Sequence, residues 1–278
     1  MTLSPIFEVV AETASEIRSS LAGRRTYEDG VNPSGETQLE ADVYADRLLE
    51  ERLCSLSSVG KYASEERDAA VGDGEGYTVA VDPLDGSSNV KSNNAMGTIV
   101  GVYEESLPTT GRSLVGAGYV LYGPLTTMVV ADDGVTEYVI EDGEPTAVRE
   151  DLSIPADPVV YGFGGRKPDW PAPFASYAET VATELKLRYG GAMIGDVNQV
   201  LTYGGIFAYP ALDTHPDGKL RLLFEGAPIA HIINAAGGSS SDGSQSLLDV
   251  EITDLHQRVP VHVGNTSYID RLEETLAE

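Results

Sequence analysis

The chain has 278 residues, of which 41% are apolar, and its 44 acidic and 18 basic side chains give a formal charge of −26 at pH 7. This length and apolar content can bury a sizeable core, in one large domain or two of ordinary size. The strong negative charge excludes nucleic acid and acidic membrane surfaces as partners over most of the exterior. No apolar run approaches the roughly 20 residues that span a bilayer, and Glu8 and Glu12 interrupt any export signal, which predicts a cytoplasmic protein.

The charged residues are skewed in type as well as in sign. Lysine occurs at only five positions, and arginine supplies the other basic side chains. The acidic residues are spread along the whole chain, so most of them form a solvated coat. Such a surface repels itself in dilute buffer and is screened by molar salt, where the screening length is about 3 Å. This pattern predicts a halophilic source.

The single cysteine, Cys54, excludes a disulfide within the chain. It stands in a helical pattern, which predicts a position in the core.

The first half of the chain is predicted to form two helices followed by a sheet. Apolar residues recur at helical spacing over 6–22 and 38–56, and turn residues between them predict a loop over 28–35. Short β-branched runs separated by Gly, Pro and Ser then predict strands at 77–81, 96–103, 114–121, 126–131 and 138–140. Residues 145–158 are rich in proline and acid, which predicts a connection and a domain boundary near residue 151.

The second half mixes both kinds of element. Predicted strands lie at 159–163, 206–210, 221–224 and 259–263, and predicted helices at 173–187, 227–236 and 266–277. The expected fold class is therefore α/β, with one domain over 1–151 and a second over 152–278.

The segment Asp82-Pro83-Leu84-Asp85-Gly86-Ser87-Ser88-Asn89 carries the clearest chemical signal. The Asp82 and Asp85 carboxylates and the Leu84 carbonyl can converge on one point, and such oxygen ligands suit magnesium. The residues after Asp85 offer backbone N–H groups and hydroxyls that can cradle a phosphate bridged to the same ions. An Asp-Pro-x-Asp-Gly sequence alone is also an ordinary turn.

The full octapeptide resembles the signature of the lithium-sensitive carbohydrate phosphatase superfamily, and its Ser-Ser-Asn ending resembles the class I fructose-1,6-bisphosphatases. Inositol monophosphatases usually carry Thr after the Gly, and their Trp-Asp ligand pair is not found here. The resemblance continues in order along nearly the whole chain, through residues 39–43, 63–66, 187–197, 203–210, 218–225 and 253–258. It implies a layered α-β-α-β-α sandwich of the sugar phosphatase type with two subdomains: an N-terminal metal and catalytic domain over 1–151 and a C-terminal sugar-phosphate-binding domain over 152–278.

The resemblance also implies a role for individual residues. Two or three Mg²⁺ ions, with Mn²⁺ as an alternative, would be bound by Glu65, Glu66, Asp82, the Leu84 carbonyl, Asp85 and Glu225. Asp42 and Glu66 would activate water. The scissile phosphate and the rest of the substrate would contact Gly86, Ser87, Ser88, Asn89, Arg188, Tyr189, Met193, Tyr209, Lys219 and Arg221. In this family the arginine at position 188 is donated by a neighbouring subunit, which implies a homo-oligomer, expected to be a tetramer.

Most of these residues also have a simpler interpretation. The Glu65-Glu66 pair alone is typical of a solvated turn, and Lys219 and Arg221 alone could be surface charges on a strand. Tyr203, Phe207 and Met193 could be core residues. His215, His231, His256 and His262 are expected to be structural, because attack by water on a phosphate needs no imidazole.

Some features depart from the family pattern. The N-terminal helical segment that binds the inhibitor AMP in relatives is missing, and Gly76 and Glu104 stand where basic AMP contacts are expected, which predicts no AMP inhibition through that site. Residues 161–166 lack, at the matching positions, the Asn and Tyr with which relatives usually bind the far phosphate, the one that is not hydrolysed.

Substrate choice stays open between two sugars. Residues 196–199, 223–225 and 237–243 are closer to sedoheptulose-1,7-bisphosphatase, whereas Asn89 and residues 203–210 favour fructose. The predicted function is magnesium-dependent hydrolysis of the 1-phosphate of fructose 1,6-bisphosphate in gluconeogenesis. The alternatives are a sedoheptulose-1,7-bisphosphatase, an inositol monophosphatase-like enzyme and an inactive metal or sugar-phosphate sensor.

Overall fold

The computed structural model describes residues 4–24, 26–33, 37–106 and 108–277. The α-helices of this part are α1 (Pro5–Ser20), α2 (Glu40–Leu53), α3 (Ala172–Glu184), α4 (Met193–Tyr203), α5 (Ala227–Ala235) and α6 (Thr266–Leu276). Five of them confirm predicted helices, with ends that differ by no more than three residues. The fourth, α4, was not predicted, although Met193, Val197 and Val200 stand at helical spacing on its buried face.

A seven-stranded sheet fills the N-terminal half. The strands up to residue 149 are β1 (Tyr27–Val31), β2 (Thr37–Leu39), β3 (Val59–Ser64), β4 (Tyr77–Asp85), β5 (Met96–Tyr103), β6 (Thr109–Thr110), β7 (Leu114–Tyr122), β8 (Thr126–Ala131), β9 (Val135–Glu141) and β10 (Glu144–Arg149). The large sheet has the order β10-β9-β8-β7-β5-β4-β3. All its neighbours are antiparallel except β3 and β4, which are parallel.

A five-stranded sheet belongs to the C-terminal half. The later strands are β11 (Val160–Phe163), β12 (Lys186–Leu187), β13 (Gly205–Tyr209), β14 (Leu220–Arg221), β15 (Ser239–Ser241), β16 (Glu251–Ile252), β17 (Arg258–Val259) and β18 (Val261–Gly264). The sheet has the order β12-β11-β13-β18-β15, and the short β14 pairs with β17 outside it.

The two sheets and three groups of helices stack as α-β-α-β-α, as predicted. Helices α1 and α2 cover one face of the large sheet through a core that includes Phe7 and Leu49. The middle layer, α4 and α5, packs between both sheets, with Ile194 and Ile229 in a shared core. Helices α3 and α6 cover the outer face of the small sheet around Phe174. Because apolar burial drives each of these contacts, the middle layer holds the two halves together. The domain boundary near residue 151 stays a prediction.

Three predicted segments were wrong in part. Strand β1 occupies the start of the loop predicted over 28–35, because it pairs with β2; residues 34 and 35 lie outside the described residues. Strand β10 occupies the start of the connection predicted over 145–158, and it is an exposed edge strand, where proline and charge are common. Residues 222–224, predicted as strand, begin a π-helix, since a short buried apolar run fits either structure.

The exposure of two side chains also corrects the predictions made for them. Cys54 is exposed, because α2 ends at Leu53 and the cysteine lies in the turn that follows. Tyr203, considered a core residue, is 49% exposed, whereas Phe207 and Met193 are buried. Among the described residues, no helix combines the length and apolar character needed to cross a membrane.

Candidate active site

A cleft of ≈ 600 Å³ opens between the end of β4 and β14. Every predicted site residue lines it except Asn89 and Arg188. The wall consists of Asn32, Gln38, Leu39, Asp42, Glu65, Glu66, Asp82, Leu84, Asp85, Gly86, Ser87, Ser88, Tyr189, Gly191, Met193, Phe207, Tyr209, Lys219, Leu220, Arg221 and Glu225. Residues that are far apart in the sequence are therefore brought to one surface.

An irregularity at the end of β4 directs two aspartates into this cleft. Asp82 pairs with Ile99 of β5 and Asp85 pairs with Gly97, so the pairing register shifts between them. Bulges of this kind change the direction in which side chains point. The Leu84 N–H donates to Asp82 Oδ1 at 3.0 Å, which holds the turn in shape.

Gly86 begins the turn that follows. Its φ is 72°, in the left-handed region, and a Cβ there would lie only 2.2 Å from Ala192 Cβ. Only glycine avoids both the strain and the clash. Ser87–Val90 then form a 3₁₀-helical turn, whose first N–H groups have no preceding helical carbonyl to bond. The predicted phosphate cradle therefore lies directly beside the two aspartates.

Three buried carboxylates converge next to this turn. Oxygen atoms of Glu65, Asp82 and Glu225 all lie within 4.8 Å of one another. Glu65 follows β3, and its N–H donates to Val81 O at 3.1 Å, which places it beside Asp82. Glu225 comes from the π-helix Leu222–Gly226. A set of oxygen ligands from three segments is suited to a hard divalent cation.

Arg221 is buried against these carboxylates. Its Nη1 lies 3.0 Å from Glu65 Oε1 and 4.0 Å from Glu225 Oε2. The backbone N–H of Arg221 donates to Glu225 Oε2 at 2.6 Å. The alternative of an exposed surface charge is therefore wrong for Arg221. The guanidinium contacts two of the three carboxylates and carries one positive charge, so the cluster keeps a negative charge when all three are ionised.

The buried carboxylates resist ionisation in the absence of a cation. Burial raises the pKa of Asp82 well above its usual range, and the charges of Glu65, Asp85 and Glu225 raise it further. Burial, followed by the charge of Glu65, also raises the pKa of Glu225. A bound cation would remove both the desolvation cost and the mutual repulsion. The residues present therefore fit a metal ion.

Asp85 ties the site to the middle helix layer. Its Oδ2 accepts the N–H of Ile194 at 2.8 Å, at the N-terminus of α4. Burial raises the pKa of Asp85 to about 7, and the helix N–H groups oppose that rise. The contact stabilises the carboxylate because helix N-termini favour negative charge.

Asp42 and Glu66 lie close together in the same cleft. Asp42 Oδ2 accepts the Leu39 N–H at 2.8 Å, which fixes it at the start of α2. Burial, with the charge of Asp42, raises the pKa of Glu66 to about 8. The sequence had not suggested Gln38, whose Nε2 donates to Glu66 Oε2 at 2.5 Å. Only its position beside the Leu39-to-Val43 segment could have pointed to it.

The cleft also carries a cation and two phenols. Lys219 is exposed, and Tyr189 and Tyr209 line the same cleft. Gly218 has a φ of 84°, and a Cβ on it would lie 2.2 Å from the Val259 backbone carbon, so glycine is required before the lysine. Met193 is buried and also lines the cleft, so it is part of both the core and the wall.

Two predicted substrate residues lie outside the cleft wall. The Asn89 amide donates to Ala95 O at 2.8 Å and to Gly190 O at 2.9 Å, so it joins the phosphate turn to the segment before α4. Arg188 is exposed on a neighbouring surface with Asp196 and Gln199. Their predicted contacts with substrate stay predictions.

Two family models together match almost the entire chain. "Fructose-1-6-bisphosphatase, N-terminal domain" matches residues 3–148, and "Fructose-1-6-bisphosphatase, C-terminal domain" matches residues 154–277. The chain belongs to the fructose-1,6-bisphosphatase family. Its curated relatives include the class 1 fructose-1,6-bisphosphatase of Natronomonas pharaonis, 64% identical over 99% of this chain and 98% of the relative. The class 1 enzyme of Halobacterium salinarum is 56% identical over the same shares.

Solved structures of the family share this fold. The holo form of Leishmania major fructose-1,6-bisphosphatase superposes with a TM-score of 0.92 at 30% identity, covering 98% of this chain and 94% of that one. A Toxoplasma gondii protein described as a candidate sedoheptulose-1,7-bisphosphatase superposes with a TM-score of 0.88 at 30% identity, covering 96% and 92%. The family fold therefore includes proteins named for both sugars.

The raised pKa values predict that magnesium stabilises this family member more at higher pH. A carboxyl group whose pKa is higher in the folded state contributes stability below its unfolded pKa, and that stability is lost as the pH rises through the folded pKa. For Asp85 and Glu66, whose folded values are about 7 and about 8, the loss extends from near pH 4 to about pH 8. We expect the melting temperature of chelator-treated protein to fall from about pH 6 to about pH 8.5, and the gain from Mg²⁺ to grow over that range. Thermal melts at matched ionic strength measure both, and an equal gain at the two pH values would contradict the prediction.

Proposed function

We propose that the chain hydrolyses the 1-phosphate of fructose 1,6-bisphosphate to give fructose 6-phosphate, with magnesium as cofactor. The observation that carries this proposal is the convergence of Glu65, Asp82 and Glu225 beside the phosphate turn that begins at Gly86. The names of the relatives support the choice of substrate. A phosphate bound at the turn would lie against the carboxylates and the ions that they hold.

The metal site would use the carboxylates of Glu65, Glu66, Asp82, Asp85 and Glu225 and the carbonyl of Leu84. We infer two or three Mg²⁺ ions per subunit, with Mn²⁺ as an alternative, because five carboxylates exceed the number that one ion needs. Bound magnesium supplies positive charge that acidifies water and offsets the charge on the phosphoryl oxygens.

The chain's own residues would position the phosphate and move the proton. The Ser87 and Ser88 hydroxyls and N–H groups donate to the phosphate oxygens. Of the pair Asp42 and Glu66, one carboxylate would accept the proton of the attacking water, and the accepting carboxylate must be ionised to do so. The pKa of Glu66, raised to about 8, gives this residue basicity in the neutral range.

The sugar would lie between the phosphate turn and Lys219. We infer that Lys219 attracts the far phosphate and that Tyr189 and Tyr209 contact the sugar, since all three line the cleft. Met193 would contribute apolar contact. Arg221, which bonds Glu65, would act on the phosphate through the same cluster of charges.

A homo-oligomer, proposed to be a tetramer, would complete the site. Arg188 is exposed and lies outside its own cleft wall, as expected of a residue donated to a neighbour. We further propose that the enzyme acts in gluconeogenesis in a cytoplasm of high salt, which its charge of −26 and its halophilic relatives support.

A second candidate substrate is sedoheptulose 1,7-bisphosphate. It is favoured by the structural match to the Toxoplasma gondii protein. Both sugars present the same end to the phosphate turn, so the room around Lys219 would decide between them.

A comparison of phosphate release from three substrates tests the proposal. We expect fructose 1,6-bisphosphate to exceed sedoheptulose 1,7-bisphosphate in kcat/KM by about tenfold, a difference of about 1.4 kcal/mol, with no turnover of inositol 1-phosphate. Activity should require Mg²⁺ and rise in molar KCl, because salt screens the acidic surface. A preference for the longer sugar would select the second candidate. No turnover of any substrate would reject the enzyme in favour of a metal or sugar-phosphate sensor.

The substitution Asp85→Asn tests the metal site directly. The amide keeps the shape of the side chain and an oxygen that can accept the Ile194 N–H, so the fold should survive. We expect kcat to fall by about a thousandfold because a charged ligand is lost, and the Mg²⁺-induced rise in melting temperature to shrink. Glu137→Gln is the matched control, since it removes a carboxylate of the same sheet that pairs with Arg149 outside the cleft. Retention of most activity by Asp85→Asn would show that the metal site lies elsewhere.

A further inference from the structure

His256 lies outside the cleft wall but contacts a segment that forms it. Its Nε2 lies 2.8 Å from the backbone carbonyl of Arg67. A carbonyl can only accept, so Nε2 carries the proton in this contact. Arg67 directly follows Glu65 and Glu66, so the histidine reaches the turn that carries two of the proposed ligands.

The same turn is fixed from the other side by the Arg67 side chain. Its Nε donates to Asp46 Oδ2 at 2.7 Å and its Nη2 donates to Glu50 Oε2 at 2.6 Å, both on α2. Helix α2 also carries Asp42 near its start. Arg67 therefore joins the Glu65-Glu66 turn to α2 by its guanidinium and to His256 by its carbonyl.

His256 also contacts the segment that carries Glu225. Its ring packs on Phe224, with 5.6 Å between the ring centroids, and the neighbouring Gln257 carbonyl accepts the Leu222 N–H at 2.8 Å. Beyond it, β17 pairs with β14, with Arg258 opposite Arg221. A shift of residues 256–259 would therefore also displace residues 220–225.

These contacts act against the repulsion within the site. Carboxylate oxygens of Glu65 and Glu225 lie within 4.8 Å of each other, so the two like charges repel when no cation lies between them. They belong to different halves of the chain. The hydrogen bond from His256 to the Arg67 carbonyl opposes their separation.

We propose that His256 is a positioning residue that sets the spacing of the Glu65-Glu66 turn relative to Glu225, and thereby the affinity of the site for divalent cations. The inference rests on the proposed function of the cluster as a metal site. It assigns the histidine no contact with substrate and no proton transfer.

Substitutions at His256 can separate positioning from general stability. The Nε2 of Gln can take the place of the ring Nε2 and reach the Arg67 carbonyl, whereas the shorter Asn side chain does not reach it. We expect His256→Asn to weaken Mn²⁺ binding and raise the Mg²⁺ concentration for half-maximal activity by about tenfold or more, as residues that orient metal ligands do. The KM for substrate at saturating Mg²⁺ should change by less than about twofold. His256→Gln should restore both metal constants.

The matched control is His262→Asn. His262 is buried on β18, and its Nδ1 bonds the Ser241 carbonyl at 3.0 Å, away from the cleft. We expect this variant to lower the melting temperature while leaving Mn²⁺ affinity unchanged. Hydrogen exchange of the metal-free protein gives a readout without turnover: the amides of residues 65–67 should exchange faster in His256→Asn than in the wild type or in His256→Gln.

Several results would overturn the proposal. His256→Asn could bind Mn²⁺ as tightly as the wild type. His262→Asn could lose as much Mn²⁺ affinity as His256→Asn. His256→Gln could fold without recovering the Mn²⁺ affinity of the wild type. If the wild type bound Mn²⁺ but hydrolysed no sugar bisphosphate, the proposed reaction would fail while the Mn²⁺ and exchange comparisons would still decide the role of His256. If the wild type bound no Mn²⁺, both the proposed metal-dependent reaction and the proposed role of His256 would be wrong.

Discussion

The constraint on which the structure depends is the burial of several carboxylates at one point. Glu65, Asp82, Asp85 and Glu225 come from three segments, and each is almost fully buried. Buried like charges repel strongly because little water screens them. Within the described residues, Arg221 offers this cluster one positive charge, which cannot balance four negative ones. A site that is costly to ionise when empty gains most from divalent cations, and that cost is the physical basis of the proposed metal dependence.

The layered fold supplies the rigidity that such a cluster needs. The middle helix layer packs between both sheets, so the end of β4 cannot move independently of α4. Asp85 uses the N-terminus of that helix, and Asn89 joins the phosphate turn to the segment before it. Across the cleft, Arg67 and His256 join the Glu65-Glu66 turn to both halves. The active-site side chains are therefore held by contacts within the protein that need no ligand.

The sequence was most informative where local chemistry and pattern agree. The octapeptide at Asp82 combines metal and phosphate chemistry in consecutive residues, and amphipathic periodicity located five helices. It failed where tertiary context decides. The apolar run after Arg221 could have continued as strand, but packing in the core made it a π-helix. The two bonds of the Asn89 amide to backbone carbonyls were likewise not predicted, because only the folded chain brings these groups together. The network around His256 joins residues 189 positions apart, which no local pattern reports.

The most direct test of the buried carboxylate cluster as a metal site is a crystal structure with Mn²⁺, using its anomalous scattering to locate the ions. We expect at least one ion bound by Glu65, Asp82 and Glu225, and further density beside Asp85 and the phosphate turn. A well-ordered cleft without anomalous density at saturating Mn²⁺, or ions bound only at the acidic surface, would contradict this role of the cluster.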